Sequence, residues 1–209
     1  IAITGGSVEI KNGALVTSRN SSDVSAGIGR AGSISVTATD SFIRLAGRAP
    51  LSPDPFGRTI DSEISARSSG AAAGDIRLEA PNVEISGGAG VAATSFGLSR
   101  AGSISIEAGE EILLVNSRIT AKAGRTDGGN ISLDAGELIE VVDSLIETEV
   151  LADQGGAGEI MVGQQVEPSL VLLNSSALIS NAAQGGAGDI SISGGRLIRS
   201  ADTVVQAAS

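Results

Sequence analysis

Carboxylates are the reactive groups this chain holds in quantity. It carries 24 Asp and Glu against 14 Lys and Arg, and no His, Cys, Trp or Tyr. The set whose spacing suggests chemistry is Glu79, Glu107 and Asp134, each the fifth residue after a glycine, namely Gly74, Gly102 and Gly129. If those glycines mark equivalent points of stacked units, the three acids form an outward column with steps of about 5 Å. Carboxylates so close repel unless they are screened, protonated or bridged by a hard cation such as Ca²⁺. Calcium is therefore the one metal the spacing raises, and the plainer reading is a solvated acidic face. Asn130, Glu159 and Asp189 form a weaker second column of the same kind.

Other chemistries lack their residue types. A Ser/His/Asp or Cys/His site needs a histidine or a cysteine. Hydrolysis of a glycosidic bond wants two acids in a groove that also holds sugar through aromatic or basic side chains, and the aromatic residues number three, Phe42, Phe56 and Phe96. Gly185-Gly186-Ala187-Gly188-Asp189 matches the start of a glycine-rich calcium nonapeptide, but that motif recurs in tandem. Here the pentad returns once per unit and its last residue varies among Ser, Asp, Asn and Glu. The glycines therefore read as corner residues, where backbone φ can be positive. No catalytic residue and no bound cofactor is expected, and an enzyme acting on polysaccharide is the least favoured reading. A net charge of −10, with two lysines and scattered arginines, argues against binding nucleic acid.

The elements that would position these residues are repeats. Anchor glycines at 32, 74, 102, 129, 158 and 188 are spaced by 42, 28, 27, 29 and 30 residues, and a period in this range signals a solenoid. The second and fourth residues after each anchor are apolar: Ile34/Val36, Ile76/Leu78, Ile104/Ile106, Ile131/Leu133, Ile160/Val162 and Ile190/Ile192. Alternation with period two predicts a short strand with one buried face. A small residue two positions later, Ala38, Ala80, Ala108 or Ala135, marks an expected inward bend. A second run follows, such as Ile112–Val115 or Leu170–Leu173, then a third, such as Arg118–Ala121.

Three short strands and three corners, repeated about seven times, describe a parallel β-helix running through residues 1–209 as one domain. Seven coils at about 4.8 Å make a rod on the order of 35 Å long. Asn116, Asp143 and Asn174, each before a serine, fall at the corner between second and third strands, where stacked polar groups can cap the bend.

One unit is about 14 residues too long, with an insertion at about 46–59. Its prolines, Pro50, Pro53 and Pro55, are followed by Phe56 and predict a loop excluded from the ladders and thrown out from a corner. In solenoids such insertions often sit on a binding face, so these four residues are the candidate interaction loop, and a tolerated excursion is the bland reading. No apolar run reaches the roughly 20 residues that span a bilayer. The chain begins without Met and in mid-repeat, as a mature form or an excerpt would. Ile1-Ala2-Ile3 opens on a strand and Val204–Ser209 ends on one, so copies could stack head to tail.

Units of the form Gly-Gly-Ala-Gly-Asp-Ile-Ser-Ile, then a Leu/Val strand, then Asn-Ser-x-Ile-Thr-Ala, resemble the repeat region of filamentous haemagglutinin-like exoproteins of two-partner secretion systems. The resemblance covers essentially the whole chain and carries over no catalytic or binding residue. It implies a single-stranded right-handed parallel β-helix, export through a dedicated outer-membrane β-barrel partner, and a secreted or bacterial cell-surface location. The function it implies is adhesion or biofilm structure, through a cell-surface or matrix ligand. A self-assembling extracellular filament subunit is the alternative.

Overall fold

The computed structural model of the protein describes residues 1–21, 30–50, 59–152 and 155–209. Every regular element among them is a β-strand. Coil 1 holds β1 (Ala2–Gly5), β2 (Val8–Lys11) and β3 (Leu15–Asn20). Coil 2 holds β4 (Ile34–Ala38), β5 (Phe42–Ala46), a hairpin of β6 (Arg48–Pro50) and β7 (Thr59–Asp61), then β8 (Glu63–Ser68). In coils 3 and 4 the first two strands merge, giving β9 (Ile76–Ser86) with β10 (Gly90–Ser95), and β11 (Ile104–Val115) with β12 (Arg118–Ala123). Coil 5 is β13 (Ile131–Ala135), β14 (Leu138–Val142) and β15 (Leu145–Val150). Coil 6 is β16 (Ile160–Val162), β17 (Leu170–Asn174) and β18 (Ala177–Ala182), and coil 7 is β19 (Ile190–Ile192), β20 (Leu197–Ala201) and β21 (Val204–Ala208).

Apart from the β6–β7 hairpin, each strand pairs in parallel with its counterpart in the next coil, so the chain is a parallel β-solenoid with three faces. The core is made of columns. Ile34, Ile76, Ile104, Ile131 and Ile160 stack one above another, each at most 1% exposed. Ile43, Val83, Ile112, Ile139 and Val171 do the same in the second sheet, and Ile64, Val91, Ile119, Ile146 and Leu178 in the third. Within each of these columns the register puts residues of like size on each other, which gives dense packing without large aromatic side chains.

One expectation needs correcting and another takes a definite form. At the small alanines of coils 3 and 4 the strands β9 and β11 run on without interruption. The register slips between Ala108 and Glu111, so Gly109 and Glu110 face the single residue Pro81, a bulge that turns the strand. The inserted segment is not wholly outside a ladder. β6 pairs antiparallel with β7, and Pro50 stands opposite Thr59 at the end of that pair. A two-stranded ribbon has only edges, so a proline without an N–H donor fits there. Pro53, Pro55 and Phe56 lie outside the described residues.

Candidate functional site

The anchor glycines sit where the third face turns into the first, and they are chosen by contact rather than by dihedral. None of Gly32, Gly74, Gly102, Gly129, Gly158 and Gly188 has a positive φ, contrary to the corner reading. A Cβ on Gly102, Gly129 or Gly158 would instead overlap the carbonyl oxygen of the anchor in the preceding coil. The residue after the anchor caps the next coil. Ser103 N–H donates to Asp75 Oδ1 (2.9 Å) and Glu159 N–H to Asn130 Oδ1 (3.1 Å). The second acidic column thus includes a backbone cap.

At the corner between second and third faces the requirement is reversed. Asn116, Asp143, Ser175 and Asp202 have φ between 47° and 49°, and Asn12 has 57°. Asn174 does not belong to this set. It pairs with Val142 in the strand, and the corner N–H that donates to Ala201 O is that of Ser175 (3.0 Å). Inside the corner runs a column of buried hydroxyls, Ser117, Ser144 and Ser176. Ser117 N–H donates to Ser144 Oγ (3.1 Å) and Ser144 N–H to Ser176 Oγ (3.2 Å), while the hydroxyls of Ser144 and Ser176 donate to Val142 O and Asn174 O (2.7 Å each). The inserted unit closes with the same device: Ser62 Oγ accepts from Gly13 N–H (3.0 Å) and donates to Ala46 O (2.9 Å).

Glu79, Glu107 and Asp134 do stand in register as one column. Their charges are met by the protein itself. Arg77 bridges Glu79 (3.3 Å) and Glu107 (2.6 Å). Asp134 is buried under the turn between β16 and β17, accepting from Ser132 Oγ (2.5 Å) and Gln165 N–H (2.8 Å). Among the described residues no three acidic side chains converge to hold a metal ion. The open cleft of about 600 Å³ over this column is lined by Thr37, Glu79, Glu107, Glu110 and Gln165, among others.

A second cleft, of about 610 Å³, lies beside the inserted hairpin. Arg48 and Asp61 (2.6 Å apart) form one wall, with Glu63, Arg67, Arg118 and the corner residues Asn116 and Asp143 beyond. Gly88, at φ 88°, leaves the space that the Arg48 guanidinium fills, so the hairpin base is seated on coil 3. This is the geometry nearest to a site, because charged groups of both signs line a concave surface under an insertion. The chain matches no family model, no curated protein and no solved structure. Its surfaces must therefore be judged on their own chemistry.

Two features carried no sequence motif. On the third face Lys122 reaches both Glu147 and Glu149 (2.7 Å each) in the next coil. Burial lowers its pKa, but the hydrogen bonds and charges of the two glutamates outweigh that and the net shift is upward. On the second face one outward column reads Glu9, Arg44, Glu84, Leu113, Glu140, Leu172 and Arg199. The signal for both was available, since counting outward positions coil by coil brings these residues together.

Proposed function

We propose that this chain is a structural and adhesive repeat segment of a secreted bacterial surface exoprotein, a stiff rod without catalytic activity. The observation that supports it best is the unbroken in-register stack, in which inward positions repeat while outward positions vary from coil to coil. A rod of this kind holds ligand-facing side chains at fixed heights. The motif resemblance supports export by an outer-membrane transporter, and contact with a cell-surface or matrix ligand. The charged lining of the cleft beside the hairpin supports it as the surface for that contact.

Beads coated with the protein should be retained on host cells or extracellular matrix well above albumin-coated beads, and Arg48→Ala with Asp61→Ala should reduce retention. Retention equal to albumin on every surface would overturn the adhesive reading. Turnover of an acidic polysaccharide, with or without calcium, would overturn the non-catalytic one.

A self-assembling filament subunit, stacking end to end through the strand edges of its terminal coils, is the second reading. Electron micrographs over a concentration series separate the two readings, because end-to-end assembly gives rods that lengthen with concentration.

A further inference from the structure

The outer face of the second sheet changes character along the rod. In coils 1 to 3 its central column alternates charge on adjacent rungs, and the charges satisfy one another. Arg44 meets Glu9 (3.7 Å) and Glu84 (2.7 Å), Lys11 meets Glu9 (2.7 Å), and the Arg44 guanidinium lies 5.2 Å from the Phe42 ring centre. From coil 4 onward the column reads Leu113, Glu140, Leu172, Arg199. The leucine between Glu140 and Arg199 holds the two charges two rungs apart, about 10 Å. Neither has an ion pair among the described residues. The column beside them is leucine in three successive coils, Leu138, Leu170 and Leu197.

From this pattern we infer that the face is covered by the same face of a second copy, with the two rods antiparallel. A two-fold axis along β17 sets Leu172 on Leu172 and Leu170 on Leu170. It sets Leu138 on Leu197, and it places each Glu140 opposite Arg199 of the other copy. The charge pattern selects this arrangement. Parallel rods in register would put Glu140 on Glu140, and so would an axis on coil 5. An axis between coils 5 and 6 would bury each charge against a leucine, which is unfavourable without a partner. The coil 6 axis alone pairs both charges and keeps leucine on leucine, the isologous matching a two-fold interface requires. The patch is a few rungs high and three side chains wide, smaller than the roughly 800 Å² per partner of a standard interface, so a weak, reversible association is expected. This lateral pairing does not rest on the adhesive reading, and it uses a different surface from end-to-end stacking.

Sedimentation velocity of the full chain in 0.15 M salt, over a concentration series from about 10 to 500 µM, tests it, because small interfaces associate weakly. A monomer–dimer equilibrium is expected. Leu172→Lys should weaken it at least tenfold, as should Glu140→Arg or Arg199→Glu alone, since each breaks a matched contact. The double exchange, Glu140→Arg with Arg199→Glu, should return to within about threefold of the parent. The chain has no cysteine, so Leu172→Cys should give a disulfide-linked dimer under mild oxidation, whereas Thr94→Cys on the third face should not. These positions face outward, so circular dichroism is expected to stay unchanged. A monomer at every concentration would overturn the proposal, as would a dimer indifferent to Leu172→Lys, or a double exchange no better than its single parents.

Discussion

Two corners of the same coil solve the problem of turning a strand in opposite ways. At the anchor corner the backbones of successive coils touch, and glycine is required although its φ is ordinary. At the corner between the second and third faces there is room for a side chain, but φ lies near +48° in four coils. Asn and Asp serve there because their cost in the left-handed region is small, and Ser175 holds the same φ in coil 6. The first corner is a steric constraint between coils, and the second is a dihedral constraint within one. Glycine in a repeat therefore has two distinct meanings, and only the neighbouring coil tells them apart.

Substitutions that exchange the two requirements should separate them. The largest loss is expected for Gly129→Ala, whose methyl would meet Gly102 O and force the coils apart. More than about 3 kcal/mol is expected, seen as a thermal midpoint lower by roughly 6–12 °C. Next comes Asn116→Val, a β-branched residue at positive φ with an expected loss of about 1–2 kcal/mol in chemical denaturation. Ser144→Ala leaves Ser117 N–H without its acceptor and should cost about 1–2 kcal/mol by the same measurement. Asn116→Gly should be neutral within about 0.5 kcal/mol. If Gly129→Ala proves as mild as Asn116→Gly, the distinction between the corners fails.

Lys122 supplies a reference on the flat face between these corners. Its folded pKa is raised, so its contribution to stability is fully present below the unfolded value of 10.5 and is lost as pH rises through the higher folded value. With one other lysine, and no tyrosine or cysteine, the alkaline decline in stability should be shallow. Lys122→Met should flatten it further, as urea melts from pH 8 to 12 would show.

The coil architecture was legible because inward positions obey one rule everywhere: Ile34/Val36 through Ile160/Val162 alternate, and the alternation alone aligns the rungs. The corner column was misread at one point for a definite reason. Asn174-Ser175-Ser176 offers two serines, and the Asn-Ser pair matches Asn116-Ser117 one residue too early. Alignment on the buried pair Val171 and Leu173 with Ile139 and Val141 would have put Asn174 in the strand. The acidic column was found but not its partner, because Arg77 sits two residues before Glu79 and reaches Glu107 by leaning across a rung. Side-chain reach between rungs is not encoded in spacing along one strand. The burial of Asp134 likewise depends on the turn of the next coil, at Gln165, folding back over it.

The hairpin base has a consequence for how such a rod can diversify. The chain leaves coil 2 at Gly47 and re-enters at Ser62, whose N–H donates to Gly47 O (3.0 Å), so exit and entry are neighbours. A coil closed in this manner is a port. Whatever is spliced between the two residues faces a fixed gap, and the entropy of closing it grows only with the logarithm of its length, about 0.6 kcal/mol per doubling. Segments of quite different size and composition could thus be exchanged at one corner while the stack beneath keeps its register.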